Sequence, residues 1–206
     1  MKRTTLLLAL SVILTPLFIS CIEKQEKIET MVSGFMTGQT DSEGYIKTLK
    51  DDYGKKYTVS EKSEKLEPDS RYRLVASLAL DEDLNARILQ MVPAISYKAY
   101  EDSVNPDFND PVEIYSRYIG GGFLNINLGV KVSKEDAEHE LFYSHVNTPG
   151  KVEFTIYHNA HGDEPVYSKY AYISIPLFGY GLSKNDTVFL SAQGYKEDYD
   201  YELIFK

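Results

Sequence analysis

Short segments in which apolar and polar residues alternate, each ended by turn-forming residues, make up most of the sequence after residue 30. Such alternation is typical of strands with one buried and one exposed face. Before residue 96 it gives about five short strands, including a hairpin at 44–59 and strands at 71–80 (RYRLVASLAL) and 86–95 (ARILQMVPAI). Five strands are the number expected of a small barrel such as an OB-fold. The pattern therefore predicts an all-β protein with an N-terminal OB-like barrel.

A stretch of acids, two Asn and two Pro at 101–111 (EDSVNPDFNDP) interrupts the alternation and indicates a linker. Seven strand candidates follow, near 112–118, 122–131, 139–146, 151–159, 167–175, 186–193 and 199–205. Seven short strands with regularly spaced turns predict a C-terminal immunoglobulin-like β-sandwich. Within this region, residues 133–138 (SKEDAE) have the composition of a short helix capped by Ser133.

One hairpin of the sandwich can be predicted in detail. If residues 147–150 (NTPG) form the turn, His145 lies opposite Val152 and the pairing continues to His139 opposite His158. Side chains alternate along strands, so the apolar residues of both strands share one face, which we expect to point into the core. The His139–His158 pair would then lie at the far end of that face.

The N-terminus carries a basic start, an apolar stretch of residues 6–19, and Ser20 immediately before Cys21. The stretch is too short for the roughly 20 residues that span a bilayer, so it indicates a cleaved signal. Cys21 identifies it as a lipoprotein signal and is the predicted lipid attachment residue. We therefore predict a signal peptide at 1–20, a tether at 21–30, the barrel at 31–100, the linker at 101–111 and the sandwich at 112–206. The protein would be lipid-anchored in the cell envelope, at the outer membrane, with the leaflet left open.

Composition narrows the classes of partner. The formal charge is −9, and it becomes more negative when Lys2 and Arg3 leave with the signal. Nucleic acid is an unfavourable partner for so acidic a chain. Cys21 is the only cysteine, so disulfide and thiol chemistry are not expected. We expect no cofactor.

The histidines are the best candidates for a metal site. His139, Glu140 and His145 superficially resemble a zinc motif, but a spacing of six residues does not place both histidines on one metal. The run from His158 to Asp163 is a better candidate for a metal site, because His139 should face His158. The turn that follows could bring His161 or Asp163 close to this pair. The alternative is structural, with the histidines closing the core and 159–163 forming a turn. We prefer the structural interpretation and keep all four residues as weak metal candidates: His139, His158, His161 and Asp163.

Other features of the sequence do not identify a catalytic site. Gly120–Gly122 lacks the Lys and the helix of a phosphate loop, and a kink or bulge at a strand start is the simpler interpretation. The 17 tyrosines include clusters at the domain boundary (Tyr97, Tyr100, Tyr115, Tyr118) and near the C-terminus (Tyr195, Tyr199, Tyr201). Tyrosine stacks on sugars but is also common in strands. We favour a structural role, partly because Trp, the strongest stacking residue, is absent.

Several stretches together resemble a known family. They are YIKTLKDDYGKKYTV, SRYRLVASLAL, GGGFLNINLGVKV, HELFYSH, VEFTIYHNAHGD and YAYISIPL, downstream of the lipoprotein leader. In combination they look like the NigD-like lipoproteins of Bacteroidetes. The resemblance implies the same barrel and sandwich, and an association with bacteriocin immunity, but no catalytic residues.

We therefore expect a membrane-anchored, non-enzymatic binding protein, possessing no catalytic residues and acting as an interaction or immunity-type factor on an unknown envelope protein or peptide. Such a function predicts an exposed patch of aromatic and acidic residues. A glycan-binding accessory lipoprotein is the alternative, and it predicts a groove lined by tyrosines. A metal-dependent hydrolase ranks third, and it requires His139, His158 and Asp163 to be accessible to solvent.

Overall fold

The computed structural model describes residues 30–95, 106 and 108–206, and the regular structure of these ranges is entirely β. The predicted signal, Cys21, most of the tether and most of the linker lie outside the described residues. The strands in chain order are β1 Thr30–Thr40, β2 Ile46–Asp51, β3 Lys56–Val59, β4 Arg71–Leu80, β5 Asn85–Pro93, β6 Glu113–Gly120, β7 Phe123–Val132, β8 Glu140–Thr148, β9 Lys151–Asn159, β10 Tyr167–Pro176, β11 Thr187–Ala192 and β12 Tyr199–Ile204. In the described part of the chain, no helix has the length and apolar character needed to cross a bilayer.

The first five strands close a barrel in the order β1-β2-β3-β5-β4. Its pairs are antiparallel except for β3 and β5, which run parallel at Thr58 and Val59. The alternation of the sequence is the cause of this arrangement, because every second residue points inward and the rest contact solvent. The barrel core consists of Met36, Ile46, Leu49, Tyr57, Val59, Leu74, Ala76, Leu78, Leu80 and Ala86. The prediction of an OB-like barrel is confirmed.

The remaining strands form two sheets, β10-β7-β6 and β12-β11-β9-β8, which enclose a second core. The predicted sandwich is confirmed. On β7, Leu124, Ile126 and Leu128 are fully buried between the sheets. The alternate residues, Asn125 and Asn127, lie on the outer face of the three-stranded sheet. The barrel packs against that outer face, and Ile95 at the end of the barrel pairs with Ile173 of β10.

The predicted pairing of the β8–β9 hairpin is wrong by two residues. His145 pairs with Phe154, and His158 pairs with Leu141 instead of His139. The turn is shorter than expected, because Thr148 pairs with Lys151 and leaves just Pro149 and Gly150 as the loop. A shift of two residues keeps every side chain on its predicted face. The apolar residues of both strands are therefore buried as expected, Phe154 at 1% exposure.

Two smaller predictions are also wrong. Residues 133–138 form a bend and a turn instead of a helix. The hydroxyl and amide of Ser133 bond to Asp163 instead of capping a helix. Gly121 and Gly122 form the turn between β6 and β7, with φ of 63° and 86°, instead of a kink or bulge at the start of a strand. These values lie in the left-handed region, which glycine occupies without strain and which suits a two-residue hairpin loop.

Candidate functional site

Three of the four candidate metal-binding residues meet at one end of the sandwich core. Nδ1 of His139 lies 2.9 Å from Nε2 of His158, although the two residues are not cross-strand partners. Nε2 of His139 lies 3.1 Å from Oδ2 of Asp163. The fourth candidate, His161, lies apart and contacts Glu140 at 3.0 Å.

The hydrogen bonds of this cluster join both histidines to protein acceptors. The Pro111 carbonyl, 3.2 Å from His158 Nδ1, accepts a hydrogen bond from that nitrogen, because a carbonyl is solely an acceptor. The Asp163 carboxylate accepts from His139 Nε2 for the same reason. Nδ1 of His139 and Nε2 of His158 face each other, and which of the two nitrogens donates depends on the tautomers of the rings.

This cluster is buried and its nitrogens are engaged with protein atoms. The His139 side chain is 6% exposed and His158 is 1% exposed. Burial lowers the pKa of His158, and hydrogen bonds from Ser133 lower the pKa of Asp163 to about 2. Within the described residues, no three His, Cys, Asp or Glu side chains are grouped to hold a metal ion. The two histidines form a polar end of the sandwich core, whereas the Asp163 side chain is 18% exposed.

A second polar cluster, which the sequence analysis did not identify, joins the barrel to the sandwich. Arg73 of β4 and Asp52, just after β2, form an ion pair at 2.6 Å, with side chains only 6% and 4% exposed. Arg73 Nη2 also donates to Asn125 Oδ1 of β7, and Arg73 Nε donates to Ser174 Oγ of β10, both at 2.8 Å. The Arg73 guanidinium also lies 4.4 Å from the centre of the Phe123 ring. Two of the three strands of this sheet, β7 and β10, are therefore tied to the barrel by one side chain.

The carboxylate of Asp52 binds the sandwich from the other direction. It accepts hydrogen bonds from Tyr118 Oη at 2.7 Å and Asn125 Nδ2 at 2.9 Å. Burial, together with the bond to Asp52, raises the pKa of Tyr118, which keeps the phenol protonated as a donor. A Cβ on Gly120 would lie 2.9 Å from Asp52 Cβ, so the carboxylate can approach the β6–β7 turn because glycine is there. The cluster thus sets the position of one domain on the other.

An open cleft of about 500 Å³ lies beside this cluster, between the barrel and the outer face of the three-stranded sheet. On the barrel side, β1 residues 32–36 and Val75 line the cleft. On the sandwich side the lining residues are Ser116, Tyr118, Asn127 and Tyr172. Phe35 contacts both Tyr118 and Tyr172 edge-to-face, each at 6.0 Å between ring centres. The size is that of a typical ligand pocket, and aromatic rings with a few polar groups are the usual lining.

The charged residues that line the cleft are all acidic. Asp51 and Asp52 line one end, whereas no Lys, Arg or His is among the described lining residues. Tyr53, in the turn after β2, is 94% exposed at the same end. The cleft thus combines acidic and aromatic residues, of which Asp52 is nearly buried, with 4% of its side chain exposed.

Most of the tyrosines singled out in the sequence have structural contacts instead. Tyr115 packs on Tyr170 at 5.2 Å, and Tyr199 stacks on Tyr201 at 5.7 Å. Tyr97 and Tyr100 lie outside the described residues. Tyr118 is the one that joins the cleft, and sequence position alone gave no way to distinguish it from the others.

Solved structures with the same fold come from Bacteroides and Parabacteroides species. A NigD-like immunity protein from Bacteroides caccae is 27% identical, has a TM-score of 0.68, and aligns over 83% of this chain and 90% of its own. A candidate toxin-related protein from Parabacteroides distasonis is 18% identical, with a TM-score of 0.66 and coverage of 86% and 94%. A candidate lipoprotein from Bacteroides fragilis is 12% identical, with a TM-score of 0.63 and coverage of 86% and 98%. The last two establish the fold alone.

The sequence comparisons agree with the structural ones. No curated protein matches the sequence. Residues 96–205 match the model of the NigD-like C-terminal beta sandwich domain. Because this match extends over more than half of the chain, the protein belongs to the NigD-like family.

Proposed function

We propose that this protein is a lipid-anchored envelope protein that binds a partner without catalysis, as an immunity-type factor does, and that the interdomain cleft is its binding site. The observation that carries the proposal is the cleft itself. It is open, lined by aromatic rings and carboxylates, and positioned by a buried ion pair whose groups are already engaged. A rigid, preorganised cleft reduces the entropy lost on binding. The NigD-like immunity protein from Bacteroides caccae, similar over most of its length, supports the same role.

The proposed anchor would hold the cleft close to the membrane. Cys21 precedes the start of β1 at Thr30 by nine residues, and β1 lines the cleft from Val32. Nine extended residues span at most about 32 Å. A partner crossing or approaching the outer membrane would therefore meet the cleft near the surface. Labelling with a radioactive fatty acid tests the anchor: wild type should incorporate label and Cys21→Ser should not, and equal labelling of both would end the lipoprotein proposal.

Affinity capture with a blocked cleft tests the binding site. The mature Cys21→Ser chain is immobilised and exposed to the envelope fraction of the bacterium that produces it, and bound proteins are identified by mass spectrometry. Ser116→Arg places a long side chain in the cleft, whereas Ser183→Arg makes the same change at an exposed loop residue outside it. The expected result is a protein retained by the unblocked chain and by Ser183→Arg but lost with Ser116→Arg. Equal retention by both variants, or no retention at all, contradicts the proposal.

A glycan ligand is a second candidate, because Tyr53, Tyr118 and Tyr172 line the same cleft. Tyrosine rings stack on sugars and their hydroxyls bond to them. A glycan array probed with the same variants distinguishes the two functions. A sugar bound by the unblocked chain and not by Ser116→Arg would replace the protein partner with a glycan.

A further inference from the structure

The first half of β1 is paired along one edge only. β1 pairs with β4 over Thr30–Gln39 but with β2 over Met36–Thr40. N-terminal to Met36, the side of β1 that would pair with β2 faces Asp51, Asp52 and Tyr53. These residues line the cleft together with residues 32–36 of β1. The unpaired edge of β1 therefore opens into the cleft.

Specific main-chain groups point from this edge. Thr40 N–H donates to the Ser70 carbonyl on the β4 side. In an antiparallel pair, successive residues bond to opposite edges, so even-numbered residues of β1 bond toward β4 and odd-numbered residues point the other way. Met31 and Ser33 accordingly direct their N–H and C=O groups to the open edge, where no described residue bonds to them. An open edge of this kind is a template for another strand.

The cleft of about 500 Å³ lies beside this edge. At Gly34, within the unpaired stretch, a Cβ on the face shared with Val32 and Met36 would have no protein atom within 4 Å. On the opposite wall, Ser116, Asn127 and Tyr172 occupy one row across the three strands of the sheet. The space between is that of a groove with a strand edge on one side and polar and aromatic side chains on the other.

The side chains of the groove are matched to a ligand that donates hydrogen bonds. The ionisable groups of its lining are Asp51, Asp52 and tyrosines. Asn127 also lines the groove, and its Oδ1 is a buried acceptor that has no hydrogen-bond partner among the described residues. Asp52 is neutralised by Arg73. Asp51 accepts hydrogen bonds from the Tyr53 and Lys55 amides and the Tyr57 hydroxyl, all neutral groups, so no described residue compensates its charge with a cation. A cationic side chain is the complement of this arrangement.

We infer that the groove binds an extended polypeptide segment of the partner, which adds as a strand to the open edge of β1 at Met31 and Ser33 and places a Lys or Arg near Asp51. This inference rests on the proposed function and specifies the ligand of that same cleft. Main-chain bonds along β1 would supply affinity, and the pockets for alternate side chains would supply selectivity. A sugar has no backbone to pair with β1, so the strand edge favours a polypeptide.

A peptide library provides the probe. Random 12-residue peptides displayed on phage are selected on the immobilised mature Cys21→Ser chain, and the selected sequences are synthesised and titrated by calorimetry. We expect selected peptides to carry a Lys or Arg, and replacement of that residue by Met to weaken binding about tenfold, as expected for the loss of one charged hydrogen bond. Selection of no peptide, or of peptides without a cation, would overturn the inference.

Two substitutions at one residue test strand addition itself. Ser33→Pro removes the N–H that points to the open edge, and an edge position accepts proline because that N–H is not paired within the sheet. Ser33→Ala keeps the N–H and removes just the hydroxyl that contacts Ser77. Peptide binding should weaken at least about tenfold in Ser33→Pro and change little in Ser33→Ala. Equal binding by both variants contradicts strand addition.

Amide hydrogen exchange supplies a readout that does not depend on a variant. Peptide binding should slow exchange at Ser33 while leaving Gly34, already bonded toward β4, unchanged. Unchanged exchange at Ser33 in the saturated complex would refute the inference. If the envelope partner is lost with Ser116→Arg but retained by Ser33→Pro, cleft binding stands and strand addition fails. If Ser116→Arg retains the partner, the proposed function itself fails.

Discussion

Replacement of Asp52 by alanine should destabilise the protein far more than loss of a surface ion pair. The substitution leaves the Arg73 guanidinium buried without its counter-ion, and it removes the acceptor of Tyr118 and Asn125. Breaking a buried ion pair on one side costs about 3–5 kcal/mol. At roughly 2–4 °C per kcal/mol for a chain of this size, the melting temperature should fall by roughly 6–20 °C.

The matched control is an exposed pair of the same barrel. Lys47 lies 3.2 Å from Asp41, with side chains 57% and 22% exposed. Exposed pairs contribute about 0–1 kcal/mol, so Lys47→Met should have a small effect. Guanidinium denaturation followed by tyrosine fluorescence gives both free energies of unfolding, since the chain contains 17 tyrosines and no tryptophan.

A double-mutant cycle separates the ion pair from the loss of packing. Arg73→Met alone leaves Asp52 buried and unpaired, whereas Asp52→Ala combined with Arg73→Met removes both charges. The double variant should therefore be more stable than the sum of the single effects indicates, by about 2 kcal/mol or more. Strict additivity, or an Asp52→Ala effect no larger than that of Lys47→Met, would refute the view that this ion pair joins the domains.

Three further substitutions test other parts of the structure. Gly121→Ala should cost more stability than Gly150→Ala. Both glycines have positive φ, but a Cβ on Gly121 would lie 3.2 Å from Asp52 Cγ, whereas a Cβ on Gly150 would lie 3.6 Å from its nearest atom. Equal melting temperatures of the two variants would contradict this prediction. Burial lowers the pKa of His158 from 6.5, so the unfolded chain takes up a proton that the folded chain resists, and stability should fall as pH drops below 6.5. Denaturation at several pH values should show a shallower fall of stability for His158→Gln, and an unchanged fall would argue against this role of His158. Phe154→Ala should cost about 3–5 kcal/mol in denaturation because the ring is buried in the sandwich core, and a loss below about 1 kcal/mol would mean that the core repacks.

The sequence by itself determined the strands and their inward faces. Alternation is a local property, since each strand needs one face for a core whatever lies opposite. β4, for example, begins at Arg71 and ends at Leu80, as its pattern predicts. Even the hairpin with the wrong pairing kept its faces, because a slip of two residues preserves the alternation. The error in pairing arose because the same Pro-Gly turn can close either a two-residue or a four-residue loop.

The tertiary structure alone decided how the two domains meet. Arg73 and Ser174 are 101 residues apart in the chain, yet the Arg73 side chain donates a hydrogen bond to the Ser174 hydroxyl. Asn125 is a polar residue on the outer face of β7, where the alternation of the sequence indicates exposure to solvent, yet it is fully buried. Alternation shows that a residue faces away from its own core, but not whether water or another domain covers it. The cleft depends on that second contact, so no local pattern in the sequence could predict it.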